Sequence, residues 1–192
     1  DVQTKSTSAY RHFAGDQEFP HFIDTGRVLY ISSSYRHIPA FVIRQLSTGE
    51  EKTLRVRDLS IDNQFSYGNG KVVYAGFNID PRWGWRDYSE IRLLDTETGN
   101  QRTLTRHTRY FSPDISEDGK EIVAVDMTEE GYSRLQFLSA ESGKALASLP
   151  NTQGWVYTYP KFMGLKQVVS AVRNSKGEMG LVRIAKDGSV VD

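Results

Sequence analysis

The chain of 192 residues is long enough for one domain of ordinary size, and its 38% apolar and 25% charged residues allow a buried core with a hydrated surface. Its 24 basic and 24 acidic side chains leave no net charge, which argues against nucleic-acid binding through a basic field. Cysteine is absent, which excludes disulfides and thiolate chemistry, and no apolar run reaches the roughly 20 residues that a membrane-inserted helix needs.

Residues 1–18 are polar and predict a lead-in or the last strand of a preceding unit. After them, four units repeat one order of elements: an aromatic or proline start, a β-branched strand, an alternating strand and a glycine turn. The predicted units span 19–61, 62–109, 110–156 and 157–192. Their turn glycines recur at intervals of 50, 44 and 45 residues, at Gly49, Gly99, Gly143 and Gly188.

A period near 45 residues with four short strands per unit is typical of β-propeller blades. We therefore predict an all-β fold with about four blades of four antiparallel strands, all in one propeller domain that is part of a larger propeller. Segment 122–125 is apolar on both faces, which indicates a strand packed between two sheets. Alternation in 90–93 favours a position nearer the rim. No stretch has a long helical period, so almost no helix is expected.

The third unit carries the clearest motif, Ser116-Glu117-Asp118-Gly119-Lys120, followed by a short apolar strand. It resembles the Ser-Pro-Asp-Gly-Lys repeat of TolB-like, WD-repeat-like β-propellers, with Glu117 in place of the usual proline. The other units keep only the start, the strand and the glycine turn. The resemblance implies the propeller fold and a periplasmic or envelope-associated location. It constrains function weakly, because propellers carry many functions.

Asp114, Ser116, Asp118 and Gly119 are interpreted as a structural turn whose polar side chains bond to the turn itself. A calcium loop is rejected, because its twelfth position would be Val125, where an EF-hand needs a bidentate Glu. The four histidines lack zinc-site spacing, and the chain has neither a nucleophile elbow nor a phosphate-binding loop. The sequence therefore predicts no metal, no cofactor and no catalytic residues.

The second unit has the one length anomaly, a loop at 77–88 that holds two of the three tryptophans. Long loops on rigid scaffolds often carry function, and aromatic residues with arginine are typical of binding hot spots. A basic and aromatic cluster also joins the second and third units. The predicted binding residues are Arg82, Trp83, Trp85, Arg86, Tyr88, Arg106, His107, Arg109 and Tyr110. The alternative is that the tryptophans cap the blade edge and the basic residues pair with nearby acids or stay solvated.

In propellers, the connectors between blades and the middle loops within blades share one face. Trp83, Trp85, Tyr110, Trp155 and Tyr157 therefore form a candidate aromatic surface. For Trp155 and Tyr157, simple packing between blades is the preferred interpretation.

The favoured function is a non-catalytic propeller scaffold that binds a protein partner in the bacterial cell envelope. The alternative is an accessory, substrate-gating propeller of a larger peptidase or other hydrolase. A small ligand or calcium ion in the central channel is a third option with no assigned residues. The apolar faces of terminal blades also predict self-association.

Overall fold

A computed structural model describes residues 15–60, 64–84 and 87–191. These residues form fifteen β-strands and contain no helix, which confirms the predicted all-β fold class. No helical segment among them could therefore cross a membrane. The chain divides into two compact units, unit 1 (Asp1–Arg57) and unit 2 (Asp58–Asp192).

Unit 1 contains sheet 1, an antiparallel meander in the order β1-β2-β3-β4. Its strands are β1 (Asp16–Phe22), β2 (Arg27–Ser34), β3 (His37–Gln45) and β4 (Glu51–Val56). The first strand begins inside the segment 1–18 that the sequence predicted as a lead-in. Its polar residues 16–18 pair with residues 31–33 of β2 through the backbone, which an apolar pattern does not reveal.

Unit 2 contains three sheets, each with its strands in chain order. Sheet 2 consists of β5 (Ser66–Gly68), β6 (Lys71–Ile79), β7 (Asp87–Asp95) and β8 (Gln101–Thr103). Sheet 3 consists of β9 (Tyr110–Ile115), β10 (Glu121–Met127), β11 (Ser133–Ser139) and β12 (Ala145–Leu149). Sheet 4 consists of β13 (Val156–Met163), β14 (Gln167–Arg173) and β15 (Met179–Ala185).

Sheet 4 differs from the predicted four-strand blade, because its described part has three strands. The turn at 186–189 forms, but the short strand expected after it is only a bridge between Val190 and Ile184. Two described residues follow that turn, too few for a ladder. The turn glycines behave as predicted: all four have positive φ, namely Gly49 (74°), Gly99 (73°), Gly143 (72°) and Gly188 (89°).

The sheets of unit 2 stack face to face through strand β10. Ile122 and Ala124 pack with apolar residues of sheet 2, whereas Val123 and Val125 pack with apolar residues of sheet 4. The packing partners are Val73, Ile91 and Leu93 in sheet 2 and Tyr157, Val168, Val172, Val182 and Ile184 in sheet 4. The prediction that 122–125 lies between two sheets is confirmed. Each fully buried aliphatic side chain of this kind contributes about 1.5–3 kcal/mol.

A strained backbone position recurs in the first strands of sheets 1, 3 and 4. Phe19, Ser112 and Tyr159 each precede a proline and have φ values of 53°, 47° and 50°. In all three strands the pairing register shifts at this point, as it does at a β-bulge. Non-glycine residues in this conformation cost of order 1–3 kcal/mol, so the surrounding structure must hold them there.

In sheet 3, Asp114 comes two residues after the strained Ser112, and its side chain links this sheet to a neighbouring one. Asp114 accepts hydrogen bonds from the backbone N–H of Phe162 and from Nζ of Lys161 in sheet 4, both at 2.8 Å. One sheet earlier, Ser66 Oγ accepts the backbone N–H of Ile115 at 3.3 Å. Asp114 therefore differs from its predicted role within its own turn, because β9 places it against the next sheet.

The other residues of that motif do form a local turn. The Ser116 hydroxyl donates to Oδ1 of Asp118 at 2.7 Å and accepts the N–H of Glu121 at 3.0 Å. Asp118 also accepts the N–H of Lys120 at 3.1 Å. The Ser116 hydroxyl and this N–H hold the pKa of Asp118 below its usual range. Gly119 has a φ of 69°, which completes the turn.

Candidate functional site

A groove of about 580 Å³ lies at the end of sheets 2 and 3 where the chain passes from one to the other. We call it the connector groove. It is lined by Tyr88, His107, Thr108, Arg109, Tyr110, Asp126, Met127, Thr128, Glu129, Glu130 and Arg134. Three chain segments meet there: the start of β7, the connector at 104–109, and the loop between β10 and β11. The connector after β8 and the middle loop of sheet 3 therefore line the same groove.

The connector is held along β7 by backbone and hydroxyl hydrogen bonds. Leu104 N–H donates to the carbonyl of Ile91 at 2.8 Å, and Ile91 N–H donates to Oγ1 of Thr105 at 2.9 Å. Ser89 and Thr108 exchange two further bonds, each of 2.9 Å. A loop with its polar groups paired in this way presents its side chains in a fixed geometry.

A buried carboxylate fixes the centre of the connector. Glu90 is 1% exposed, and its Oε1 accepts the backbone N–H of His107 at 3.0 Å and Nδ2 of Asn78 at 3.3 Å. Its Oε2 accepts Nη1 of Arg92 at 2.9 Å. Burial works to raise the pKa of Glu90, but these three donors outweigh it and hold the pKa below its usual range. The ionised carboxylate thereby holds His107 at a φ of 54°.

Arg92 extends this network to Asp58 and Thr103. Its Nε bonds to Oδ2 of Asp58 at 3.0 Å and its Nη1 bonds to Oγ1 of Thr103 at 2.8 Å. The Arg92 side chain is only 11% exposed, and a buried positive charge needs an opposite charge nearby. The carboxylates of Asp58 and Glu90 provide it. These contacts tie the connector support to the interior of unit 2.

The floor of the groove is a row of three side chains across sheet 3. Register places Asp126 opposite Tyr110 of β9 and Arg134 of β11. Oδ2 of Asp126 accepts both Nε and Nη2 of Arg134 at 2.8 Å. Burial raises the pKa of Tyr110, and the Asp126 carboxylate adds to the rise. The Tyr110 phenol therefore stays protonated at neutral pH and can donate a hydrogen bond.

Aromatic and charged side chains form the walls. The rings of Tyr88 and His107 are in contact, with centroids 4.9 Å apart and planes at 52°. Arg109 is exposed beside them. On the loop between β10 and β11, the backbone N–H of Glu130 and the Thr128 hydroxyl hold the pKa of Glu130 below its usual range. The described residues contain no cluster of three potential metal ligands.

Four of the nine predicted binding residues thus come together in the groove: Tyr88, His107, Arg109 and Tyr110. Arg82 and Trp83 lie on the loop outside it, with Trp83 65% exposed and the Arg82 N–H bonded to Oδ1 of Asp80 at 2.8 Å. Arg106 is exposed and does not line the groove. Trp85 and Arg86 lie outside the described residues.

The aromatic residues of the next connector pack inward. Tyr157 is 5% exposed within the core between sheets 3 and 4, and Trp155 packs against that core. Their rings meet edge to face at 6.3 Å. The preferred interpretation of these two residues is confirmed, and they do not extend the connector groove.

The sequence interpretation missed the residues from sheet 3, namely Asp126 to Glu130 and Arg134, and the supporting Glu90. The loop after β10 has ordinary length, so no anomaly marked it. Its position in the repeat could have predicted that it lies near the connector, because it is the middle loop of the unit that follows the connector.

No family model matches the chain, and no curated protein is similar to it in sequence. Solved structures do match. A protein assigned as TolB from Agrobacterium tumefaciens is similar over 93% of this chain and 65% of its own length, with 15% identity and a TM-score of 0.71. TolB from Acinetobacter baumannii is similar over 86% of this chain and 39% of its own, with 20% identity and a TM-score of 0.61. The chain has the fold of TolB-like β-propellers.

The β-propeller domain of the Trilobed protease from Pyrococcus furiosus, which has an open velcro topology, is also similar. The match covers 92% of this chain and 56% of that domain, with 14% identity and a TM-score of 0.57. The chain therefore spans less than two thirds of each of these three structures. The similarity establishes the fold, and propellers with this fold occur both in TolB and in peptidases.

Proposed function

We propose that the chain is a non-catalytic TolB-like propeller scaffold that binds a protein partner through the connector groove. The observation that carries the proposal is the convergence of three segments on one preformed depression with aromatic walls and charged edges. Aromatic residues and arginine dominate binding energy at protein interfaces. The buried Glu90 support lowers the ordering cost of binding, because the connector is already fixed.

The proposal is tested by comparing partner binding to a groove variant with partner binding to a control variant. Tyr88→Ala combined with Arg109→Glu should weaken binding of the purified partner at least tenfold, about 1.4 kcal/mol. Lys144→Glu, on the exposed turn at the far end of sheet 3, should leave binding unchanged. Trp83→Ala tests whether the partner binds the loop tip instead of the groove. If Trp83→Ala abolishes binding and the groove variant does not, the loop tip is the site and the groove proposal fails.

A cell-envelope location is part of this proposal and rests on the TolB-like fold. The second candidate function, an accessory propeller that gates substrate for a peptidase, is favoured by the likeness to the Trilobed protease propeller. Sequencing the coding region on both sides of these residues separates the two. An adjoining catalytic domain supports the gating role, whereas a signal peptide with further blades and no catalytic motif supports the envelope scaffold.

A further inference from the structure

Some charged side chains of the connector groove are paired with an opposite charge, and others are not. In the floor, Asp126 and Arg134 neutralise each other through two 2.8 Å contacts. On the connector wall, the backbone of Arg109 is held by the N–H of Met127, which donates to its carbonyl at 3.0 Å. Among residues 15–60, 64–84 and 87–191, no ion pair involves the Arg109 guanidinium. One wall thus offers an exposed cation with a fixed backbone.

The loop between β10 and β11 carries negative charge. Glu130 is exposed and lies on the loop after β10, where its own N–H and the Thr128 hydroxyl stabilise the ionised form. A ligand in the groove therefore meets the Arg109 cation of the connector and the Glu130 carboxylate of this loop.

The groove is also lined by apolar and aromatic groups, namely Tyr88, Tyr110 and Met127. Tyrosine rings offer a large rigid contact surface, and methionine adapts its shape to an apolar side chain. A volume of about 580 Å³ lies within the range of pockets that hold small ligands and a few side chains. The space therefore has room for a few side chains of a short linear segment.

We propose that the connector groove binds an extended segment of a protein partner that places an acidic side chain on Arg109, a basic side chain on Glu130, and an apolar side chain between them on Tyr88 and Tyr110. This inference rests on the proposed function and names its partner class. Charge complementarity with Arg109 and Glu130 favours one orientation of the segment, because the reversed segment would bring like charges together.

Selection from a library of random linear peptides tests the inference. The immobilised baits are the wild-type chain, Arg109→Glu and Glu130→Lys. Wild type should enrich peptides that carry both an acidic and a basic residue around an apolar one. Arg109→Glu should exchange the acidic preference for a basic one, and Glu130→Lys should do the opposite. A synthetic wild-type-selected peptide should lose about tenfold or more in affinity for each variant and regain it when its matching charge is reversed.

Glu141→Lys and Lys144→Glu, on the exposed far turn of sheet 3, are the controls and should select the wild-type peptide set. The inference is overturned if wild type enriches no peptide, if the enriched peptides lack the charge pair, or if Arg109→Glu and Glu130→Lys select the same peptides as wild type. The proposed function is decided separately by binding of the partner protein to the groove. Such binding with no charge preference would leave the scaffold function standing and remove this inference alone.

Discussion

Replacing Glu90 with Gln tests whether the buried carboxylate supports the groove. All three of its partners are donors: His107 N–H, Asn78 Nδ2 and Arg92 Nη1. A glutamine amide offers one oxygen, so in either orientation its NH₂ group faces at least one of these donors. A buried donor to a charged acceptor is then left unpaired, which costs about 1.5–3 kcal/mol. For a chain of this size, the unfolding midpoint should fall by roughly 4–10 °C.

The pH dependence gives a second, independent readout. The folded-state pKa of Glu90 lies below its usual value, so the carboxylate stabilises the fold above the unfolded pKa of about 4.3. That stabilisation is lost as the pH falls through the folded-state pKa. The stability difference between wild type and Glu90→Gln should therefore be full at neutral pH and shrink under acidic conditions.

The assay is urea unfolding followed by tryptophan fluorescence. All three tryptophans lie in unit 2, so the signal reports on the unit that contains Glu90. Glu97→Gln, on the exposed turn after β7, is the matched control and should change the unfolding free energy by less than about 0.5 kcal/mol. If Glu90→Gln is as stable as this control and has the wild-type pH dependence, the argument for a carboxylate support is refuted.

Three further predictions concern the stacked sheets. Asp114→Ala should lower the unfolding free energy of unit 2 by about 2 kcal/mol, because it removes both contacts to sheet 4. Gly143→Ala should cost more than Gly164→Ala, since both have positive φ but only the new Cβ at Gly143 would clash, with the Leu104 carbonyl. The exposed face of sheet 4 should promote self-association, which Leu181→Glu reduces and Leu146→Glu, on β12, does not.

Urea unfolding tests the first two of these predictions, and sedimentation velocity tests the third. Equal stability of Asp114→Ala and wild type would show that the link between sheets 3 and 4 is energetically neutral. Equal costs for the two glycine substitutions would show that the turn moves away from the connector. A monomeric wild-type chain at high concentration would remove the argument for association through sheet 4.

The sequence predicted the features that depend on local pattern. Residues 122–125 are apolar at every position, and only a strand between two sheets buries both of its faces. The turn glycines Gly49, Gly99, Gly143 and Gly188 marked the hairpins because their positive φ favours glycine. Four residues that line the groove were also singled out, because the aromatic and basic composition around Tyr88 and the connector is visible in the sequence.

The remaining features depend on stacking, which no local pattern encodes. Glu90 looked like an outward residue of an alternating strand, but the connector folds back over it and buries it. Asp114 looked like a turn residue, but the bulge before it aims its carboxylate at the next sheet. Asp126 and Arg134 became groove residues only because register aligns them with Tyr110.

Site-specific photo-crosslinking most directly tests the claim that the connector groove is a protein-binding site. A photoreactive amino acid at Thr128 lies in the groove, and one at Glu141 lies at the far end of the same sheet. We predict a discrete protein adduct from position 128, suppressed by an excess of unlabelled wild-type chain but not by the Tyr88→Ala, Arg109→Glu variant. Adducts that form equally at both positions, or that the variant suppresses as well as wild type does, would contradict the groove as the binding site.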